Sequence, residues 1–150
     1  MRINVKCSSA VHILLMIASI PEDYKITSEF LSSSLGNNPV EVRKLLSSLK
    51  KAGLIEVVRG QGGTRLLKNP QDITLLDIYN AVDGNSIDNI IGIHSHPSQQ
   101  CPFGKNINEV LSQSYRNISE SLKEEMKSIT LQQFIDNFNN IEPNVQVQFK

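Results

Sequence analysis

The sequence predicts a mostly α-helical fold with one small β-hairpin wing: a winged helix–turn–helix followed by a long C-terminal dimerisation helix. Three observations favour this fold class. Two short helical patterns, separated by Gly36, occupy residues 27–52. Two β-prone runs then flank the glycine-rich residues 60–63, and an amphipathic pattern extends over residues 106–129. Apolar residues that recur every three or four positions predict helices, whereas short β-branched runs around glycines predict a hairpin.

The first predicted helix covers residues 10–18, where apolar side chains occupy nearly every face. A helix that is apolar all round is buried, so it should lie in the middle of the domain, behind the helix–turn–helix. His12 lies within it, and we interpret it as a core or edge histidine because nothing beside it offers a second metal ligand. Cys7, at the start of this helix, is interpreted as structural.

The next two helices each have a start signal and a stop signal. Thr27 can cap the first of them, and Gly36 can end it in a left-handed conformation. Asn38 can cap the second, with Pro39 at the first helical position, where a missing amide proton costs nothing. Gly53 can end this second helix. The spacing therefore predicts two short helices joined by a tight turn.

The outward side chains of the second of these helices are small, polar or basic, which suits the floor of a DNA major groove. Arginine or lysine can donate to guanine, glutamate can accept from cytosine, and valine can contact a thymine methyl group. Lys50 and Lys51, further along the helix, are expected to contact phosphates, which position a protein without reading sequence. The candidate DNA-contacting residues on these helices are Ser28, Asn37, Asn38, Pro39, Val40, Glu41, Arg43, Lys44 and Lys50.

The hairpin is predicted from β-prone runs at residues 55–59 and 64–68. Three glycines within the four residues between them allow a turn with positive φ, and let the backbone approach another surface closely. An arginine on such a wing suits a narrow minor groove, whose negative potential attracts it. The candidate DNA-contacting residues of the wing are Arg59, Gly60, Gln61, Gly62, Gly63 and Arg65.

The C-terminal half is predicted to be helical around a loop. Thr74 and Asp77 have capping-box spacing and start a helix that runs to about Val82. Asn106 can cap a long helix of about 35 Å, longer than a small domain needs for its own core, so we expect it to form a two-fold dimer rather than fold back on its own domain. The predicted divisions are a DNA-binding domain over 1–84, a sensor loop over 85–105, dimerisation and short terminal helices over 106–138, and a tail over 139–150 that can fray.

Charge is divided unequally along the chain, although the net charge is zero. Residues 1–70 contain ten Lys or Arg and five Asp or Glu, whereas residues 71–150 contain five Lys or Arg and ten Asp or Glu. The basic half contains the helix–turn–helix, and such polarity directs one face of the molecule toward phosphate. No apolar run is long enough to span a membrane and no signal peptide is recognisable, so we expect a cytoplasmic protein.

Two stretches carry a family resemblance. Residues 43–55 and 58–63 resemble the recognition helix and wing of the Rrf-two (Rrf2) family of bacterial winged-helix transcriptional regulators, and residues 73–78 and 81–84 extend the similarity. The resemblance covers roughly residues 1–130 and implies a homodimer bound to double-stranded DNA. In this family the signal is sensed in the loop that precedes the long helix.

The loop leaves several chemistries open. Some members of the family hold an iron–sulfur cluster with three loop cysteines, but here only Cys101 is present, which argues against a cluster held by about four ligands. His94, His96 and Cys101 are acceptable zinc or copper ligands. Thiol redox sensing is the third alternative, because a thiolate at a helix N-terminus is stabilised and Cys101 resembles the single loop cysteine of the YwnA-like branch, set in Cys-Pro-x-Gly. A structural Cys101 at the dimer interface is equally consistent, and no resident cofactor is predicted.

The sequence therefore predicts a dimeric, sequence-specific transcriptional regulator that acts as a repressor on a palindromic operator. A redox or small-molecule signal at Cys101 would gate it. The alternative is a winged-helix interaction module that holds a metabolic enzyme or another protein partner. An enzyme is not expected, because no nucleophile–base set stands out and the glycines at 60–63 lack the lysine and hydroxyl residue of a phosphate-binding loop.

Overall fold

A computed structural model describes residues 5–58, 63–84 and 87–145. Within these residues the fold is mostly helical with a two-stranded antiparallel hairpin, which confirms the predicted fold class. The elements are α1 (Val5–Ser19), α2 (Ser28–Leu35), α3 (Pro39–Lys51), β1 (Ile55–Val58), β2 (Gly63–Leu66), α4 (Leu75–Val82), α5 (Pro102–Ser128) and α6 (Leu131–Ile141), with short 3-10 turns at Pro70–Asp72 and Ile87–Asn89.

The buried helix α1 lies at the centre of the core. Ala10, Ile13 and Leu14 are fully inaccessible, and α1 contacts α2, α3, α4, α6 and the hairpin. The helix starts at Val5 rather than at Ala10, because Cys7 continues the core-facing side one turn upstream and is itself buried. Burial raises the pKa of the Cys7 thiol, with a smaller contribution from Asp83. Cys7 therefore behaves as a core residue.

The helix–turn–helix is held by the caps that the sequence predicts. The N–H of Phe30 donates to Thr27 Oγ1 at 3.1 Å, and the N–H of Val40 donates to Asn38 Oδ1 at 2.8 Å. Gly36 ends α2 with a φ of 69°, a left-handed conformation that glycine adopts without strain. These local bonds fix where α2 ends and α3 begins, and they set the direction in which α3 leaves the turn.

The hairpin packs closely against the loop before α2. In its register Glu56 faces Arg65 and Val58 faces Gly63. Gly63 has a φ of 100°, and a Cβ there would lie 3.2 Å from the backbone nitrogen of Ile26. Only glycine satisfies both conditions, so Gly63 anchors the base of the wing. The predicted tip residues Arg59, Gly60, Gln61 and Gly62 lie outside the described residues.

The C-terminal helices share the core of the N-terminal part. Thr74 and Asp77 form the predicted capping box at the start of α4, with bonds of 2.9 and 3.1 Å. The N–H of Leu75 donates to the carbonyl of Ile129, and the N–H of Leu131 donates to that of Ile73, both at 2.8 Å. These two bonds tie the junction between α5 and α6 to the start of α4.

Two predicted helix boundaries in this part are wrong. Helix α5 begins at Pro102, with Cys101 as its N-cap, and Asn106 lies inside it and donates to the carbonyl of Pro102. Proline is tolerated in the first turn, and Gly104 is present because a Cβ there would come within 2.4 Å of the Ser98 carbonyl oxygen. The predicted loop thus ends at Cys101. Helix α6 continues to Ile141, so the predicted tail begins within it, and residues 146–150 lie outside the described residues.

Candidate nucleic-acid interface

The candidate interface is built on the outer face of α3. Val42, Leu45 and Leu49 anchor the helix in the core, so Arg43, Lys44 and Ser47 between them point outward. The side chain of Asn38 caps α3, and the first turn of the helix lies at the surface of the domain. Of the predicted residues at this end, the exposed ones are Asn37, Asn38, Val40, Glu41, Arg43 and Lys44, whereas Pro39 is half-buried.

Arg43 is held by two side chains from the start of α2. Its Nη2 donates to Glu29 Oε1 at 2.7 Å, and its Nε donates to Ser28 Oγ at 3.2 Å. The Ser28 hydroxyl in turn donates to Glu29 Oε2 at 3.1 Å. The pKa of the Glu29 carboxyl is lowered by the residue's own backbone N–H, then by Arg43 and Ser28, so the carboxyl is ionised at neutral pH.

Two other basic residues of the interface, Lys44 and Arg65, also have acidic partners. Lys44 Nζ lies 2.8 Å from Glu41 Oε1, one turn away on the same helix, and this hydrogen bond is the main cause of a lowered pKa at Glu41. On the hairpin, Arg65 forms an ion pair with Glu56 directly opposite on the neighbouring strand. The Arg43 and Lys44 pairs are exposed on both sides and the Arg65 pair is partly exposed, so each adds little to stability.

Two clefts run along the sides of α3. The first, of about 510 Å³, lies between α3 and the base of the hairpin, and it brings together Ser28, Arg43, Lys50 and Gly63. The second, of about 290 Å³, lies between α3 and the start of α1 and is lined by Asn37, Asn38, Glu41 and Lys44. Arg65 is not brought to either cleft, because it lines a separate depression beside the loop after α1.

Two lysines of these clefts were not among the predicted contacts. Lys25 lines the cleft between α3 and the hairpin, and Lys6 lines the cleft beside α1. Both are among the ten basic residues of positions 1–70, so the unequal charge of the two halves already counted them. Their position could not be read from helical spacing, because neither lies on the helix–turn–helix itself.

Cys101 lies immediately before α5, as the N-cap of that helix. It is exposed, and the backbone N–H groups of Gly104 and then Phe103 lower the pKa of its thiol from its ordinary value. His94 and His96 are also exposed. Within the described ranges, no group of three or more His, Cys, Asp or Glu residues is positioned to hold a metal ion, so the structure does not assemble these two histidines and Cys101 into a zinc or copper site.

No helix in the part of the chain that the structure describes is both long enough and apolar enough to cross a membrane.

Comparison with known proteins identifies a common fold and sequence family. The model of the Rrf2 family, described as an iron-dependent transcriptional regulator, matches residues 3–137. The chain is 35% identical over 129 residues to YwnA of Bacillus subtilis strain 168, named as an HTH-type transcriptional regulator, and the match covers 86% of this chain and 93% of that protein. These relatives are transcriptional regulators rather than enzymes.

Solved structures agree with this comparison. A Lactobacillus plantarum protein described as a transcriptional regulator superposes with a TM-score of 0.72 at 26% identity, covering 96% of this chain and 95% of that one. CymR of B. subtilis, described as a global cysteine regulator, superposes with a TM-score of 0.66 at 20% identity, covering 91% and 97%. At that identity CymR supports the fold alone.

The family description names iron, and an iron–sulfur cluster held mainly by cysteines does not fit the donors of this chain. The sequence contains two cysteines, of which Cys7 is buried in α1 and Cys101 is exposed at the start of α5. Iron–sulfur clusters are generally held by about four ligands, mostly cysteine thiolates. The donor set therefore differs from that of a cluster-binding protein.

Proposed function

This chain belongs to the Rrf2 family of transcriptional regulators, and from that premise we propose that it is a dimeric repressor that reads a palindromic operator with α3 and the hairpin. The observation that carries the proposal is the exposed N-terminal half of α3, flanked by two clefts lined with basic side chains. A helix presented in this way can enter a major groove while the side chains around it contact the phosphates.

Base reading is assigned to the first turns of α3. Arg43 can donate to a guanine, Glu41 can accept from a cytosine, and Val40, which is exposed, can contact a thymine methyl group. Lys50 is assigned to a phosphate, as are Lys6 and Lys25, which extend the positive surface along both clefts. The hairpin is assigned to the adjoining minor groove of the DNA, with the predicted tip and Gly63 nearest to it.

Dimerisation is assigned to α5. The helix has 27 residues, which corresponds to a length of about 40 Å, yet only Ser119 and Met126 are buried among them. Its N-terminal half carries apolar side chains in the open, with Phe103 84% and Val110 71% exposed. A second copy of the chain packed along this stripe would cover them and would set two α3 helices against two half-sites.

Gating is assigned to Cys101. Its thiolate can attack a hydroperoxide, forming a sulfenic acid as the O–O bond breaks and the other oxygen leaves as hydroxide or alkoxide. Because Cys101 is the residue just before the helix assigned to dimerisation, a change in its charge and size would alter the start of that helix and the distance between the two α3 helices of the dimer. A structural Cys101 within the dimer interface remains the competing assignment.

The test of this function is a fluorescence anisotropy titration against DNA from upstream of the protein's own operon. We expect the reduced protein to prefer this DNA over a scrambled duplex, with an affinity that falls steeply as salt increases. Peroxide should lower the affinity of the wild type but not of Cys101→Ser. If neither the reduced nor the oxidised protein binds any of this DNA with sequence preference and salt sensitivity, the proposed function is wrong.

A further inference from the structure

Glu29 is an acidic residue on the surface that we propose binds DNA, although DNA is itself negatively charged. It lies in the first turn of α2, outside the helix that reads bases, and its carboxylate binds Arg43 across 14 positions of sequence at 2.7 Å. A carboxylate beside the operator repels phosphate. Its placement there needs a reason other than DNA affinity, and the geometry of the Arg43 guanidinium supplies one.

The contacts from α2 occupy one edge of the guanidinium and leave another edge available. Glu29 accepts from Nη2 and Ser28 accepts from Nε, which are the donors along the side edge of the group. Arginine has five N–H donors in a rigid plane, so one hydrogen of Nη1 and the second hydrogen of Nη2 remain side by side at the outer edge. That outer edge is suited to the paired O6 and N7 acceptors of guanine.

Both holding groups are carried by a capped helix start. Glu29 and Ser28 are in the first turn of a helix whose N-cap, Thr27, is bonded to the Phe30 N–H. Ser28 also donates to the second oxygen of Glu29, so the carboxylate is oriented from two sides. An arginine held on such a frame loses less conformational freedom on binding than one that moves freely in solvent.

We propose that Glu29 is a specificity-determining positioning residue, which holds Arg43 so that its outer edge meets one guanine of the operator. This inference rests on the proposed function. The negative charge has a second consequence, because it partly neutralises the guanidinium and weakens its attraction to phosphates of any sequence. Glu29 therefore raises the ratio of specific to non-specific binding through both effects.

The experiment measures discrimination at single base pairs. Anisotropy titrations compare the operator with a series of duplexes that each carry one substituted base pair, and with a non-specific duplex. For Glu29→Gln we expect discrimination to fall about fivefold or more at one guanine, with little change elsewhere, because a well-placed bidentate contact is worth at least that factor. Non-specific affinity should rise, since one negative charge has been removed.

A double-mutant cycle shows whether Glu29 acts through Arg43. In the Arg43→Ala background, Glu29→Gln should leave discrimination at that guanine unchanged within about twofold, because the held group is gone. The matched control is Glu56→Gln, which removes the acidic partner of Arg65 on the hairpin and should not alter reading at the same guanine. Ser28→Ala removes the second holding bond without changing charge, so it should lower affinity for the operator by a larger factor than it lowers affinity for the non-specific duplex.

The outcomes separate this inference from the function on which it rests. If the wild type shows no base preference, the proposed function fails and the assignment of Glu29 fails with it. If the wild type discriminates but Glu29→Gln and Ser28→Ala retain its full base preference, only the assignment of Glu29 is wrong. That assignment is also wrong if Glu29→Gln lowers discrimination equally with and without Arg43, or only in proportion to a fall in thermal stability.

Discussion

At the residue scale, two basic side chains on α3 are assigned different roles because their neighbours differ. Arg43 is held by Glu29 and Ser28 from another helix, which fixes its direction. Lys50, near the other end of α3, faces the cleft beside the hairpin. Helical spacing predicted that both residues point outward. It could not predict the bond between Arg43 and Glu29, because that contact depends on how α2 and α3 cross.

The first prediction separates base reading from phosphate contact. Arg43→Ala should reduce discrimination at one base pair by about 1–3 kcal/mol, and it should also lower non-specific affinity because Glu29 is left as an unpaired negative charge. Lys50→Ala should instead weaken binding to all sequences and lower the slope of log affinity against log salt by about 1. Titrations at several salt concentrations measure both effects. Equal behaviour of the two variants would contradict the assignment.

The second prediction concerns the two thiols. Because the N–H groups of Gly104 and Phe103 stabilise the thiolate of Cys101 and lower its pKa, its alkylation by iodoacetamide should reach half its maximal rate at a lower pH than that of an ordinary thiol. Cys7, whose pKa is raised by burial, should react slowly at the same pH. Cys101→Ser should therefore remove the fast phase. A fast phase that survives in this variant would assign the reactivity to Cys7.

At the element scale, helix ends that are set by neighbouring residues in the sequence were predicted better than ends that depend on packing against another segment. The limits of α2 and the start of α3 were predicted well because Thr27, Gly36 and Asn38 act on backbone groups within a few positions. The start of α5 was placed too late because Pro102 and Gly104 have the composition of a loop. What makes Gly104 necessary is the Ser98 backbone beside it, which no local pattern reports.

The third prediction tests that packing at the start of α5. Gly104→Ala should lower the free energy of unfolding by about 1–3 kcal/mol, because its Cβ would meet the Ser98 carbonyl at 2.4 Å and backbone must move. The matched control is Gly92→Ala, whose Cβ would have nothing within 4 Å and should change stability by about 0.5 kcal/mol or less. Urea denaturation measures both. A Gly104→Ala protein as stable as the control would show that the contact with Ser98 is not maintained.

At the scale of the whole molecule, two features of the sequence anticipate the proposed assembly. The basic half of the chain contains α3 and all the charged residues that line both clefts, and the acidic half contains α5 and α6. Helix α5 leaves an apolar stripe in the open over its N-terminal half. The sequence predicted the stripe from its spacing. It did not reveal that the C-terminal part of the same helix returns to the core through Met126.

The fourth prediction tests the pairing of two copies through that stripe. Val110→Asp places a charge in the proposed interface, so it should shift the sedimentation of the protein from dimer to monomer and lower operator affinity at least tenfold, because two half-sites are no longer bound together. Ser112→Asp adds the same charge on roughly the opposite side of α5 and should leave the dimer intact. Analytical ultracentrifugation distinguishes them. A Val110→Asp protein that sediments like the Ser112→Asp control would exclude this interface.

The most direct measurement of the central claim is a structure of the protein bound to its operator duplex. We predict two copies related by a two-fold axis, each with the N-terminal half of α3 in a major groove and Arg43 against a guanine, and with the hairpin beside the adjoining minor groove. A complex in which the DNA lies on another face, or in which α3 contacts no bases, would contradict the account.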